Sequence, residues 1–127
     1  MILAAALLSC SVAYVYDGDQ IRCRDGVTLR LAGIDAPEFR CRKRRCAPGD
    51  PIASRDALRR LAGARVRYRV VDADRCVPGF QAADRYGRPV ALVYAGGREL
   101  GAAQLAAGRA IRWTCTPRGR KGRQGGS

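Results

Sequence analysis

The chain reads as an α+β protein, mainly β: a five-stranded barrel with one helix between its third and fourth strands and a second short helix after the fifth. Three observations predict this. Short runs alternate apolar and polar residues with period two, as half-buried strands do. Asp-Gly pairs at 17–18 and 25–26 separate the first three runs, which suits a meander joined by tight turns. Two other stretches carry helix start and stop residues. At 127 residues, the chain suits one domain with a modest core.

The runs at 11–16 and 20–24 form a hairpin around Asp17-Gly18. Residues 27–34 follow Asp25-Gly26 as the third strand, with Leu29 and Leu31 on one face and Arg30 on the other. Residues 39–49 are an arginine-rich loop. Asp50 then serves as a helix N-cap, Pro51 takes the first helical position, and Gly63 lies just past the end. Ala57, Leu58 and Leu61 give that helix its apolar face. In 64–71, Val66, Tyr68 and Val70 alternate with Arg65, Arg67 and Arg69, a half-buried strand with a basic outer face. Residues 72–87 form a long polar loop and 88–94 the fifth strand. Ala95-Gly96-Gly97 turns into a helix over 99–107, stopped by Gly108, and 110–113 is a last short strand. Residues 117–127 are Gly/Arg/Lys-rich and read as a disordered basic tail. This element order matches a barrel of the oligonucleotide-binding (OB-fold) type, although other small α+β folds share it.

Charge narrows the function. Lys and Arg number 24 against 11 Asp and Glu, for a net charge of +13. Only Lys43 and Lys121 are lysines; abundant arginine, alanine and glycine also fit a GC-rich genome. Such charge calls for a polyanionic partner, whether nucleic acid, an anionic membrane surface or an acidic glycan. Histidine is absent. That excludes Ser/His/Asp triads, histidine acid/base pairs and histidine-containing zinc sites.

Residues 1–9 have the apolar character of an export leader without its basic flank. Cleavage after Ala13 is one option, and acylation of Cys10 as a lipoprotein is another. A mature chain beginning near Cys10 or before it keeps the first strand whole, so the domain is expected over 10–116. Six cysteines allow fifteen pairings, and the sequence does not choose among them. Cys10 and Cys23 flank the first hairpin, Cys41 and Cys46 flank the basic loop, and Cys76 would then be left with Cys115. Cysteine usage and the apolar leader together suggest an oxidising, exported location, periplasmic or secreted.

Four segments carry the chemistry: Asp17-Gly18-Asp19, Leu29-Arg30-Leu31, Asp35-Ala36-Pro37-Glu38 and Asp84-Arg85-Tyr86-Gly87-Arg88. In a strongly basic chain, carboxylates gather around one strand and its end. This is the composition needed to hold a hard cation against a phosphate: oxygen ligands for the cation, and guanidinium forks for the phosphoryl oxygens. Each residue also has a plain alternative. Asp17 and Asp19 suit a turn, Arg30 a solvated strand face, Glu38 the surface, and Arg88 an ion pair with Asp84.

Taken in order, these segments resemble the staphylococcal-nuclease-like (thermonuclease) family over about residues 14–113. That family's pattern is a V-x-D-G-D-T turn, an R-L-x-x-I-D-A-P-E strand end and a D-x-Y-G-R turn before a strand. The resemblance implies the barrel and a calcium-dependent hydrolysis of phosphodiester bonds in DNA and RNA, with little sequence specificity. It implies Asp19, Asp35 and the Ala36 carbonyl as calcium ligands, Arg30 and Arg88 as phosphate-binding catalytic residues, Glu38 as the residue that activates water, and Tyr86 as a substrate contact. Gln20 stands where the family has threonine, and the residues after Trp113 do not read as the family's extra helix. The expected substrate is nucleic acid, preferably single-stranded, with Tyr86 and Trp113 placed to stack on bases. No obligate protein partner is evident, and a monomer is expected. The alternative is a nucleic-acid-binding OB-fold module without turnover. A membrane- or glycan-binding protein is the weaker third reading, because it leaves the acids around Arg30 without a purpose.

Overall fold

The computed structural model describes residues 6–41 and 46–115, and all structural statements refer to these. In chain order the elements are β1 (Leu8–Asp17), β2 (Gln20–Cys23), β3 (Thr28–Leu31), β4 (Ile34–Asp35), α1 (Pro51–Ala62), β5 (Arg65–Val71), β6 (Val90–Ala95), β7 (Arg98–Glu99), α2 (Leu100–Ala106) and β8 (Ile111–Arg112).

The large sheet runs β3-β2-β1-β5-β6-β7, and β3 also pairs with β6 in parallel. That pairing closes β1, β2, β3, β5 and β6 into a five-stranded barrel, which leaves those strands without open edges. The interior is built by the inward positions of each strand: Ile21, Leu29, Leu31, Val66 and Val93 are essentially fully buried. The expected mainly-β α+β barrel is therefore what forms.

Helix α1 closes one end of the barrel. The Asp50 side chain accepts the Ile52 N–H at 2.9 Å, Pro51 begins the helix, and Gly63 ends it at φ +60°. Loss of such a cap costs about 1 kcal/mol. Leu58 and Ala62 join the barrel core. Helix α2 is short and is started by Glu99, whose carboxylate accepts the N–H groups of Gly101 and Ala102, each at 2.8 Å.

Several boundaries differ from the sequence reading. β1 starts at Leu8 rather than residue 11, because Leu8 through Ser11 pair with β5. Leu8 and Ser9, read as leader, are thus ladder residues, whereas residues 1–5 lie outside the described set. The strand expected over 27–34 breaks at Gly33 (φ +79°), and Ile34–Asp35 instead pair with Ile111–Arg112 in a two-stranded sheet. β6 starts at Val90, which leaves Arg88 in the preceding turn. The basic tail and most of the basic loop lie outside the described residues.

Three disulfides form: Cys10–Cys23, Cys41–Cys46 and Cys76–Cys115. The first two are the pairs that flank the first hairpin and the basic loop, and the third is the pair then left over. The last spans 39 residues and ties the 72–87 loop to the segment after β8. In the chain-entropy picture a bridge of that span removes about 4 kcal/mol of unfolded-state freedom.

Candidate functional site

The site is assembled by strand pairing. Gln20 and Arg30 face each other across β2 and β3, and the Leu31 N–H donates to the Asp19 carbonyl at 2.8 Å. Arg30 is therefore delivered beside the 17–19 turn. From there its guanidinium reaches two acids. Nη1 lies 2.5 Å from Asp19 Oδ2, and Nη2 lies 3.9 Å from Asp35 Oδ1 and donates to the Ile34 carbonyl at 3.2 Å. Asp19 Oδ2 also accepts the Ala36 N–H at 2.9 Å. One guanidinium thus links the acidic turn to the strand end, while β8 holds that strand end from the other side. Asp19, Asp35 and Ala36 are all buried.

Burial opposes the Arg30 charge, but Asp19, Asp35 and Asp17 outweigh it and its pKa rises. Asp17, part of the acidic turn but not among the expected calcium ligands, is the fourth member of the cluster. Burial, then the Asp19 charge and a side-chain hydrogen bond with Asp19, push the Asp17 carboxyl up to about 8. They do so against its bond from the Asp19 N–H (3.2 Å) and the Arg30 charge. Gln20 donates to Asp17 Oδ2 at 3.1 Å, so glutamine supports the turn in place of the family's threonine. The signal for Asp17 was present in the repeated D-G-D acids, but a turn explained it equally well.

Gly18 has a different role from the one its turn suggests. Its φ is not positive; instead, a Cβ there would fall 1.8 Å from Ser54 Oγ. Only glycine lets the turn sit on α1. Gln104 of α2 donates to the carbonyls of both Gly18 and Ser54 at 3.0 Å, and Ser54 Oγ donates to the Arg109 carbonyl at 2.7 Å. Both helices therefore brace the acidic turn.

Arg88 and Tyr86 form a second cluster. Asp84 holds the turn: it accepts from the Arg88 side-chain Nε at 2.7 Å and from the backbone N–H groups of Tyr86 and Arg88, each at 2.9 Å. The alternative reading of Arg88 as the partner of Asp84 is thus realised. The Arg88 guanidinium also lies 5.2 Å from the centre of the exposed Tyr86 ring. The β3–β6 pairing brings this turn to Arg30, whose N–H donates to the Pro89 carbonyl at 3.0 Å. Arg30, Tyr86, Arg88 and Trp113 line one cavity of about 1260 Å³. Asp19, Asp35 and Glu38 do not line it. Glu38 is exposed after the buried Pro37, and among the described residues no hydrogen bond or ion pair connects it to the acids or arginines.

Among the described residues no three histidines, cysteines or acids form a ready-made metal cage. The donor chemistry nevertheless fits a hard cation. Every donor is oxygen, and three clustered carboxyls face one guanidinium, a surplus of acid that burial makes costly.

A family model described as staphylococcal nuclease homologue matches residues 28–124. No curated protein matches the chain.

Proposed function

The chain belongs to the staphylococcal nuclease homologue family, and from that premise we propose that it is a calcium-dependent nuclease. It hydrolyses phosphodiester bonds of DNA, RNA or both as an endonuclease, with little sequence specificity. The observation that carries this reading is Arg30 held against Asp19 and Asp35 on the wall of a cleft shared with Arg88 and Tyr86.

Asp19, Asp35 and the Ala36 carbonyl are the residues suited to hold the ion. When bound, calcium polarises the phosphoryl group and makes bound water more acidic. The rest of the work falls to side chains. Arg30 keeps N–H donors beyond those given to Asp19 and Ile34, and these can receive a phosphate oxygen. Arg88 supplies a second fork from the facing turn. As charge grows on the equatorial oxygens, the two guanidiniums meet it with charge-assisted hydrogen bonds. Glu38 takes the proton of the attacking water as the new P–O bond forms and the sugar oxygen leaves on the opposite side. Tyr86 contacts a neighbouring phosphate or stacks on a base.

Three disulfides fit an oxidising compartment, and we read the protein as exported, periplasmic or secreted, and monomeric on single-stranded substrate. Because Leu8 and Ser9 pair with β5, we place the leader before Leu8 and the nuclease domain from there to residue 116. Among the described residues no helix is long and apolar enough to cross a membrane.

The second reading, a binding module without turnover, draws on one observation: Asp84 already engages Arg88. Cleavage of single-stranded DNA separates the two. Hydrolysis that needs calcium, stops in chelator and falls in Arg30→Ala and Glu38→Gln supports the enzyme. Tight binding with no hydrolysis in calcium establishes the module.

A further inference from the structure

The arginines outside the site gather on one outer surface of the barrel. On β5, Arg65, Arg67 and Arg69 are exposed and alternate with the inward Val66 and Tyr68. Arg22 of β2 and Arg24 just after it are exposed as well. β1 lies between these rows. Its Ser11 pairs with Arg65 on one side and accepts the Arg24 N–H at 2.8 Å on the other, so a small side chain separates two arginines. Farther along β1, Tyr14 faces Arg22 across the ladder. Tyr14 and Tyr16 are 55% and 39% exposed, and their rings meet edge to face with centres 4.8 Å apart. None of these five arginines forms an ion pair with a described residue.

This surface runs into the cleft. Across β5 and β6, Arg67 pairs with Tyr94 and Arg69 with Leu92. Leu92 lines the cavity that holds Arg30 and Arg88. Arginines two residues apart on one strand recur about every 6.8 Å. A line of free cations at that spacing, with aromatic rings at its far end, matches an extended chain of phosphates carrying stackable bases. A lipid surface would need several apolar side chains to insert, whereas beside the β5 arginines β1 presents Ser9 and Ser11 and a single large exposed aliphatic side chain, Leu8.

We propose that the outer face of β2, β1 and β5 is a second, noncatalytic tract for single-stranded nucleic acid, entered from the cleft past Leu92 and Arg69. The five arginines take phosphates there, and Tyr14 and Tyr16 take bases. The tract rests on the nucleic-acid reading above and makes long strands, rather than short oligonucleotides, the preferred substrate.

The test compares single strands of about 3 and about 20 nucleotides, both shorter and longer than one barrel's site. Binding is measured in chelator, which prevents metal-dependent cleavage and leaves this face, free of the proposed metal ligands, intact. For the triple variant Arg65→Ala/Arg67→Ala/Arg69→Ala, long-strand affinity should fall roughly tenfold or more. Its dependence on log salt should flatten by about two, the change expected for three lost phosphate contacts. In calcium, kcat/KM should fall for the long strand and stay unchanged for the short one. Tyr14→Ala/Tyr16→Ala should weaken long-strand binding with an unchanged salt slope. Thermal melting checks the fold, and the single Arg67→Glu variant repeats the binding test with less disturbance. The tract is overturned by an unchanged salt slope in the triple variant. It is equally overturned if wild type shows no preference for the long strand, or if the variants lose binding to phosphatidylserine vesicles but keep the oligonucleotide. Long-strand binding through this face without any hydrolysis in calcium would sustain the tract and end the nuclease reading instead.

Discussion

Arg30 and Arg88 border the same cleft but are held in opposite ways. Arg30, itself half-buried, sits among Asp19, Asp35 and the Ile34 carbonyl, buried partners brought to it by strand pairing. Arg88 is held by Asp84 within its own turn and lies beside an exposed tyrosine. The first arginine is part of the barrel's construction as well as its proposed chemistry. The second can change partners at little cost to the fold. A cleft built in this way has one rigid wall and one adjustable wall.

The comparison can be broken most decisively at Arg30. Arg30→Ala leaves buried carboxylates without their counter-charge, so unfolding free energy should drop by about 3–5 kcal/mol in denaturant titration, and hydrolysis should disappear. Retention of both stability and activity would mean that the cluster is ornamental. Arg88→Ala should cost activity but spare the fold. Its rate loss should be roughly a hundred- to a thousandfold, with stability within about 1 kcal/mol of wild type. A fold collapse in that variant would erase the contrast between the two walls.

Smaller effects sharpen the rigid side. Gly18→Ala must displace Ser54 or the turn itself, and should cost about 1–3 kcal/mol while weakening calcium binding in calorimetry. If the turn tolerates alanine with unchanged calcium affinity, α1 does not position the acids. The gentlest test uses pH. The Asp17 carboxyl is raised from an ordinary 3.8 to about 8, chiefly by burial. The folded protein therefore holds this proton more tightly than the unfolded chain does. Its stabilising contribution is complete below about pH 4 and is lost as pH rises towards 8. In chelator the melting temperature should fall over that window, and Asp17→Asn should flatten the fall. Parallel melting profiles for the two proteins would show that Asp17 ionises freely.

Local chemistry made much of this molecule readable. Period-two alternation placed the strands, Asp50, Pro51 and Gly63 bounded α1, and Asp-Gly pairs marked the first turns, because each depends on residues only a few positions apart. The types of residue needed at the site were visible too, since acids around an arginine stand out in a basic chain. Misread were features that depend on distant partners. Strand β1 is longer than its own alternation implies because β5 pairs with its beginning. Ile34, expected in the third strand, instead joins Asp35 in a small sheet completed by β8.

The amino-acid sequence by itself determined the barrel's element order, the positive charge and the set of candidate residues. Only the tertiary structure decided how they are used: that Gly18 is glycine to fit against Ser54, that Gln104 reaches back 86 residues to Gly18, and that Asp17 is buried next to Asp19. It also decided that Arg30 is wedged between acids while Arg88 stays within its own turn. The physical reason is range: periodicity and capping act over one turn or one strand, whereas burial and charge pairing act between whatever surfaces the closed barrel brings together.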